Sequence, residues 1–114
     1  MSLTAREVAE AFSGHRFDVA FPYLGDHVVW RMPGSAGLEG REAVVAACRS
    51  TATALADTRI EVERFVVADG GDVVAVDTLT GYRDGDDVST VASCDIYEFR
   101  DGLVARITSY TVEV

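Results

Sequence analysis

Apolar and polar positions change their period once along this chain, and the change divides it into two kinds of structure. In TAREVAEAFS (residues 4–13), Val8, Ala9, Ala11 and Phe12 recur at helical spacing. Thr4 stands where an N-cap belongs, Glu7 follows three residues later to complete a capping box, and Gly14 ends the helix. In HRFDVAFPYLGD, the spacing of Phe17, Phe21 and Leu24 predicts a second short helix, with Pro22 tolerated only near a first turn. HVVWRM (27–32) reads as a strand stopped by Pro33-Gly34. After a small-residue loop, GREAVVAACRSTATALAD reads as a longer helix with Val44, Cys48, Thr51 and Leu55 on one face.

Beyond Asp57 the period shortens to two. RIEVERFVV, DVVAVDTLTGYR, VSTVASCDIYEF and LVARITSYTVEV are rich in β-branched and aromatic residues, and ADGGD, DGDD and RDG separate them as turn signals. The predicted order is helix, helix, strand, helix, then a meander of four strands. Helices grouped before a mostly antiparallel sheet indicate an α+β domain, and a strongly curved sheet wrapped on one face by helices would leave a pocket between them. Residues 1–114 are expected to form a single domain.

Composition narrows the function. The formal net charge of −9 argues against nucleic-acid binding, which needs clustered positive charge. No apolar run approaches the roughly 20 residues of a membrane helix, so no membrane partner is expected and a cytoplasmic location is the default. All ten cations are arginine, which excludes a Schiff-base lysine. Cys48 and Cys94 form no CxxC pair, and no His or Cys pair has metal-ligand spacing, so neither a metal nor another cofactor is expected.

The stretches YLGDHVVWRMPG, LEGREAV and CDIYEFRDGLVARITSY, in this order, resemble the SnoaL-like proteins of the nuclear transport factor 2-like superfamily. The resemblance spans nearly the whole chain. It implies a cone-shaped α+β barrel wrapped by three helices, often a homodimer through the outer sheet face. It does not imply one activity, because the superfamily includes polyketide cyclases, ketosteroid isomerases, epoxide hydrolases and non-catalytic binding modules.

Asp95 falls where ketosteroid isomerases carry a carboxylic acid that donates a hydrogen bond to a developing oxyanion. The rest of that isomerase set is missing: the first helix has no Tyr, and Arg31-Met32-Pro33 offers no base. The epoxide-hydrolase pattern aligns with Ala75, Asp77 and Ser109, which retains one of its three residues, and the last-strand acid of SnoaL-type cyclases also aligns with Ser109. A serine cannot replace a carboxylate as a base at neutral pH.

The candidate catalytic residues are therefore Asp95 and Asp77, two carboxylates that would share one apolar cavity and divide into acid and base. Trp30, Met32, Ser93, Tyr97, Ile107 and Ser109 are the candidate pocket residues, and the expected ligand is a small apolar organic molecule. Both faces of residues 91–99 are fairly apolar, so strand register decides which of Asp77, Asp95 and Arg31 face inward. His15, just past a helix end, is expected in a solvated or capping role, Tyr23 at the cavity mouth, and Tyr110 on the dimer side. The enzymatic reading is a cofactor-free isomerase, cyclase or hydrolase. Its rival is a ligand-binding or dimerisation module without catalysis.

Overall fold

The structure, a computed structural model, describes residues 2–114. Helix α1 (Ala5–Ser13) begins with the capping box its sequence announces. Glu7 N–H donates to Thr4 Oγ1 at 3.1 Å, and Thr4 N–H donates to Glu7 Oε1 at 3.0 Å. The helix stops at Gly14, whose N–H donates to the Glu10 carbonyl. A Cβ at Gly14 would lie 2.9 Å from that carbonyl oxygen, so only glycine fits the turn as drawn.

A short helix α2 (Phe17–Ala20) runs into one 3-10 turn (Phe21–Tyr23), which accommodates Pro22. Strand β1 (Leu24–Arg31) starts three residues earlier than its apolar pattern predicts. Strand β2 (Leu38–Glu39) lies inside the loop that the sequence leaves featureless, and it exists because it pairs with Val29 and Trp30 of β1. Helix α3 (Arg41–Ala54) follows, and then β3 (Arg59–Asp69), β4 (Val73–Asp84), β5 (Asp87–Arg100) and β6 (Leu103–Glu113) form the expected meander.

The six strands lie in the order β2-β1-β6-β5-β4-β3. All pairings are antiparallel except β1 with β6. The sheet is mixed and does not close on itself, so the α+β cone fold stands with an open sheet rather than a sealed barrel. The ladders shift register between Leu24 and Val29, between Val62 and Arg64, and between Glu98 and Phe99. Such bulges bend strands and raise local twist, which lets the sheet curl around the helices. At the β5–β6 hairpin, Asp101 and Gly102 both take positive φ (53° and 79°), the geometry that favours Asp-Gly in two-residue turns.

The core fills the concave side. Val8, Phe12, Phe17, Val44 and Cys48 from the helices pack against Val28, Val74, Val76, Tyr97, Val104 and Ile107 from the sheet. Burying each such side chain contributes on the order of 1.5–3 kcal/mol.

Candidate functional site

The core does not fill the whole cone. Beyond Tyr97 and Val76 the concave space continues as a cavity of about 190 Å³. Phe12 and Phe17 wall one side, with Trp30 and Met32 from β1 and the loop after it. Phe12 lies edge-to-face against Phe17, Trp30 and Tyr97 at centroid distances of 5.2–5.8 Å. The opposite wall is hydroxyl-rich: Thr78 and Thr80 of β4, Ser93 of β5, and Ser109 and Thr111 of β6.

Asp95 faces this cavity from β5 and is the one carboxylate among its lining residues. Ser13 Oγ donates to its Oδ2 at 2.8 Å, and Ser109 Oγ donates to its Oδ1 at 2.6 Å. Proton inventory then fixes the outer bonds. Ser13 has given its only proton to Asp95, so the Tyr97 hydroxyl 2.6 Å away must donate to Ser13 Oγ. Ser109 in turn accepts from Trp30 Nε1 at 2.9 Å. Two relays, Tyr97–Ser13 and Trp30–Ser109, thus converge on one carboxylate. A carboxylate has about four acceptor positions. Asp95 therefore retains capacity for a ligand, with Ser93 Oγ at 3.5 Å as its only other near neighbour among the hydrogen-bonded groups.

The electrostatics keep the neighbours neutral. Burial, reinforced by the Asp95 charge, pushes the Tyr97 phenol well above its ordinary pKa. Tyr82 is raised for the same two reasons. His15 is held below its ordinary value of 6.5, mainly by burial and against an opposing pull from Asp95.

His15 is placed by the turn after Gly14, where it takes φ 64°. Its ring lies edge-on to Phe17 and Tyr82, and Nε2 is 3.2 Å from the Tyr82 hydroxyl. His15, Tyr82, Thr51 and Val91 line both the cavity and a wider vestibule of about 540 Å³ outside it, so they form the neck between the two.

Neutral His15 has a stability consequence. The unfolded chain takes up a proton near pH 6.5 while the folded chain resists it, so stability is full above that pH and falls as pH drops toward the lowered folded value. His15→Asn keeps a side chain that tolerates positive φ and removes the titration. Urea midpoints for both proteins at about pH 7 and about pH 5.5 check this: the wild type should lose more stability than the variant. Equal losses would mean that His15 does not carry the effect.

Of the sequence candidates, Asp95, Trp30, Met32, Ser93 and Ser109 meet at the cavity. Three do not. Asp77 points to the outer sheet face, where its Oδ2 accepts from Arg64 Nε at 2.9 Å in a half-exposed ion pair. The cause is strand parity: β4 turns Val74, Val76, Thr78 and Thr80 inward, and Val73, Ala75, Asp77 and Leu79 outward. The pair of carboxylates sharing a cavity is thereby replaced by a single one, and Ala75 leaves the cavity with Asp77. Tyr97 and Ile107 are fully buried beneath the cavity rather than lining it.

His15 is not solvated but part of the neck, and Tyr23 accepts from Leu3 N–H at 3.0 Å instead of standing at the mouth. Arg31 and Tyr110 are exposed, as parity predicts. Sequence reasoning missed Ser13, Thr78, Thr80 and Tyr82. The inward parity of β4 carries the last three, but only once its face is known. Among the described residues no group of His, Cys, Asp or Glu converges to hold a metal, and no helix is long and apolar enough to cross a membrane.

The fold has counterparts. An NTF2-like protein of unknown function from Cytophaga hutchinsonii superposes with a TM-score of 0.81 at 21% identity, over 93% of this chain and 94% of that one. An LEH-like epoxide hydrolase from M. tuberculosis gives 0.70 at 19% identity, over 95% and 82%. A candidate polyketide cyclase from Xanthomonas campestris gives 0.69 at 19% identity, over 90% and 83%. At these identities the likeness extends to the fold alone. A search of curated proteins finds no significant match. The sequence profile of the SnoaL-like domain matches residues 5–107, and with the NTF2-like cone now in view the chain belongs to that SnoaL-like family.

Proposed function

We propose that residues 1–114 act as one unit that binds a small, largely apolar organic molecule in the inner cavity, and that Asp95 moves a proton on it without a cofactor. The observation that carries this reading is a single carboxylate, oriented by Ser13 and Ser109, facing a cavity otherwise lined by aromatic and neutral polar side chains. A carboxylate so placed can take a proton from carbon next to a carbonyl, or from water attacking a strained ring. Neutral His15 at the neck is the second group able to exchange a proton there. Relatives of the same fold include the M. tuberculosis epoxide hydrolase and the Xanthomonas candidate cyclase, which supports an isomerase, cyclase or hydrolase class. The cavity exceeds the roughly 150 Å³ that holds benzene in an engineered protein core, so a monocyclic substrate fits.

The test uses cyclohexanone in heavy water and cyclohexene oxide in ordinary buffer. Deuterium uptake next to the carbonyl, or diol formation, above the buffer rate supports the proposal. Binding of both probes with neither reaction favours the second reading, a ligand-binding module. The observation behind that alternative is that both Asp95 oxygens already hold serine protons, as a structural aspartate would.

The reading includes a homodimer formed through the outer sheet face. Val66, Tyr110 and Val112 lie on that face at 45%, 52% and 61% exposure, around Ala92, Cys94 and Ile96. Burying such a patch is favourable. Light scattering is expected to give twice the chain mass, and a monomer at all accessible concentrations would overturn this part. Two free cysteines, Cys48 and Cys94, suit a reducing compartment such as the cytoplasm.

A further inference from the structure

Along the inner face of β4 the residues read Val74, Val76, Thr78, Thr80. The two valines are fully buried in the core, and the two threonines are 7% and 4% exposed. Threonine has the shape of valine with a hydroxyl in place of one methyl. A wall position that only had to pack would bury more apolar surface as valine, so a threonine hydroxyl there calls for a polar partner. The Thr78 hydroxyl reaches the Ser93 carbonyl at 3.5 Å, at the edge of hydrogen-bonding distance. The Thr80 hydroxyl meets no side-chain or backbone partner among the described residues, yet no buried side-chain oxygen there is left unpartnered, so this hydroxyl opens into the cavity that Thr80 lines.

From this we infer that Thr80 is a second ligand-binding station, taking a neutral acceptor oxygen of the same molecule whose other polar group meets Asp95. The inference rests on the reading that the cavity binds a ligand, and it adds the ligand's shape. Asp95 lies opposite Val76 in the sheet, and Thr80 is four residues further along β4. At about 3.3 Å per residue the two stations are about 13 Å apart. Inward side chains converge on the concave face, so after about 2.8 Å is allowed for each hydrogen bond the ligand's two oxygens stand about 6–7 Å apart. The ligand class is therefore an uncharged, roughly monocyclic molecule with a hydroxyl at one end and a carbonyl or ether oxygen at the other. Its apolar middle lies against Phe12, Phe17 and Trp30. An anionic end is disfavoured because the only charge in the cavity lining is the Asp95 carboxylate.

The test compares 4-(hydroxymethyl)cyclohexanone, which has both oxygens, with cyclohexylmethanol, which lacks the second, by calorimetry or NMR titration. One added hydrogen bond should make the wild type prefer the ketone by about fivefold or more. Thr80→Val should abolish that preference, leave cyclohexylmethanol affinity unchanged and raise Tm. Thr80→Ser, which keeps the hydroxyl, should retain the preference. The inference is overturned if Thr80→Val keeps the preference, if Thr80→Ser loses it, or if Thr80→Val lowers Tm and so reveals a structural role for the hydroxyl. Equal affinity of the wild type for both probes sinks the second station alone. No binding of either probe sinks the cavity reading and this inference together.

Discussion

Asp95→Asn should reduce proton transfer by about 100-fold or more while changing stability little. The size follows from the general contribution of a positioned acid or base. The cleanness of the variant follows from the hydrogen-bond network. An amide offers one acceptor and one donor where the carboxylate offered acceptors only. With its oxygen toward Ser13, the Tyr97–Ser13 relay is unchanged. Its NH₂ then donates to Ser109 Oγ, which has two lone pairs and continues to accept from Trp30 Nε1. The Ser109 proton is released toward the cavity and can meet ligand or water. No fully buried group is stranded, so the stability cost should stay within about 1 kcal/mol. Deuterium uptake into cyclohexanone, measured beside the urea midpoint, checks both halves. An Asp95→Asn protein that exchanges at the wild-type rate would remove Asp95 from the chemistry, whatever its place in the cavity.

The largest stability effect is expected at Tyr97. The ring is fully buried against Phe12, and its hydroxyl ends the relay through Ser13. Tyr97→Ala removes the ring and leaves a cavity, at a cost of about 3–5 kcal/mol. That is a large part of the roughly 5–15 kcal/mol that hold a domain together. Tyr97→Phe keeps the ring and removes only the hydroxyl, at about 1 kcal/mol. Because that hydroxyl's partner is Ser13, combining Tyr97→Phe with Ser13→Ala should cost less than the sum of the two single changes. Urea denaturation of the four proteins measures this. Strict additivity would show that the 2.6 Å contact carries no energetic coupling.

What the sequence discloses and what it hides divide along physical lines. The capping box at Thr4 and Glu7 and the Asp101-Gly102 turn rest on local backbone chemistry, and both form as read. The helix–strand order follows from apolar period and is equally legible. The inward face of a strand is not local when both faces are apolar. Only family resemblance points Asp95 inward, because Val91, Ser93, Asp95, Tyr97 and Phe99 differ little in polarity from Ala92, Cys94, Ile96 and Glu98. The same ambiguity on β4 made Asp77 look like a pocket residue, and only burial beneath the helices reveals Val74 and Val76 as the inner set. His15 shows the other limit. A residue after a helix-ending glycine reads as solvated, but Phe17 and Tyr82 close around it through the path of α2 and the curl of β4. Strand β2 is two residues long and has no period to read.

The open sheet leaves β3 as a terminal strand, and an unpaired strand edge can recruit strands from other molecules into aggregates. Here that edge carries Arg59, Glu61, Glu63 and Arg64, all exposed, with the register break between Val62 and Arg64 in their midst. Charge and irregular backbone together make it a poor template. The chain's excess of negative charge adds long-range repulsion between copies. Extension of the sheet into a growing fibril is thereby resisted at its free margin, and the protein can keep an unclosed cone without the solubility hazard that an open margin otherwise brings.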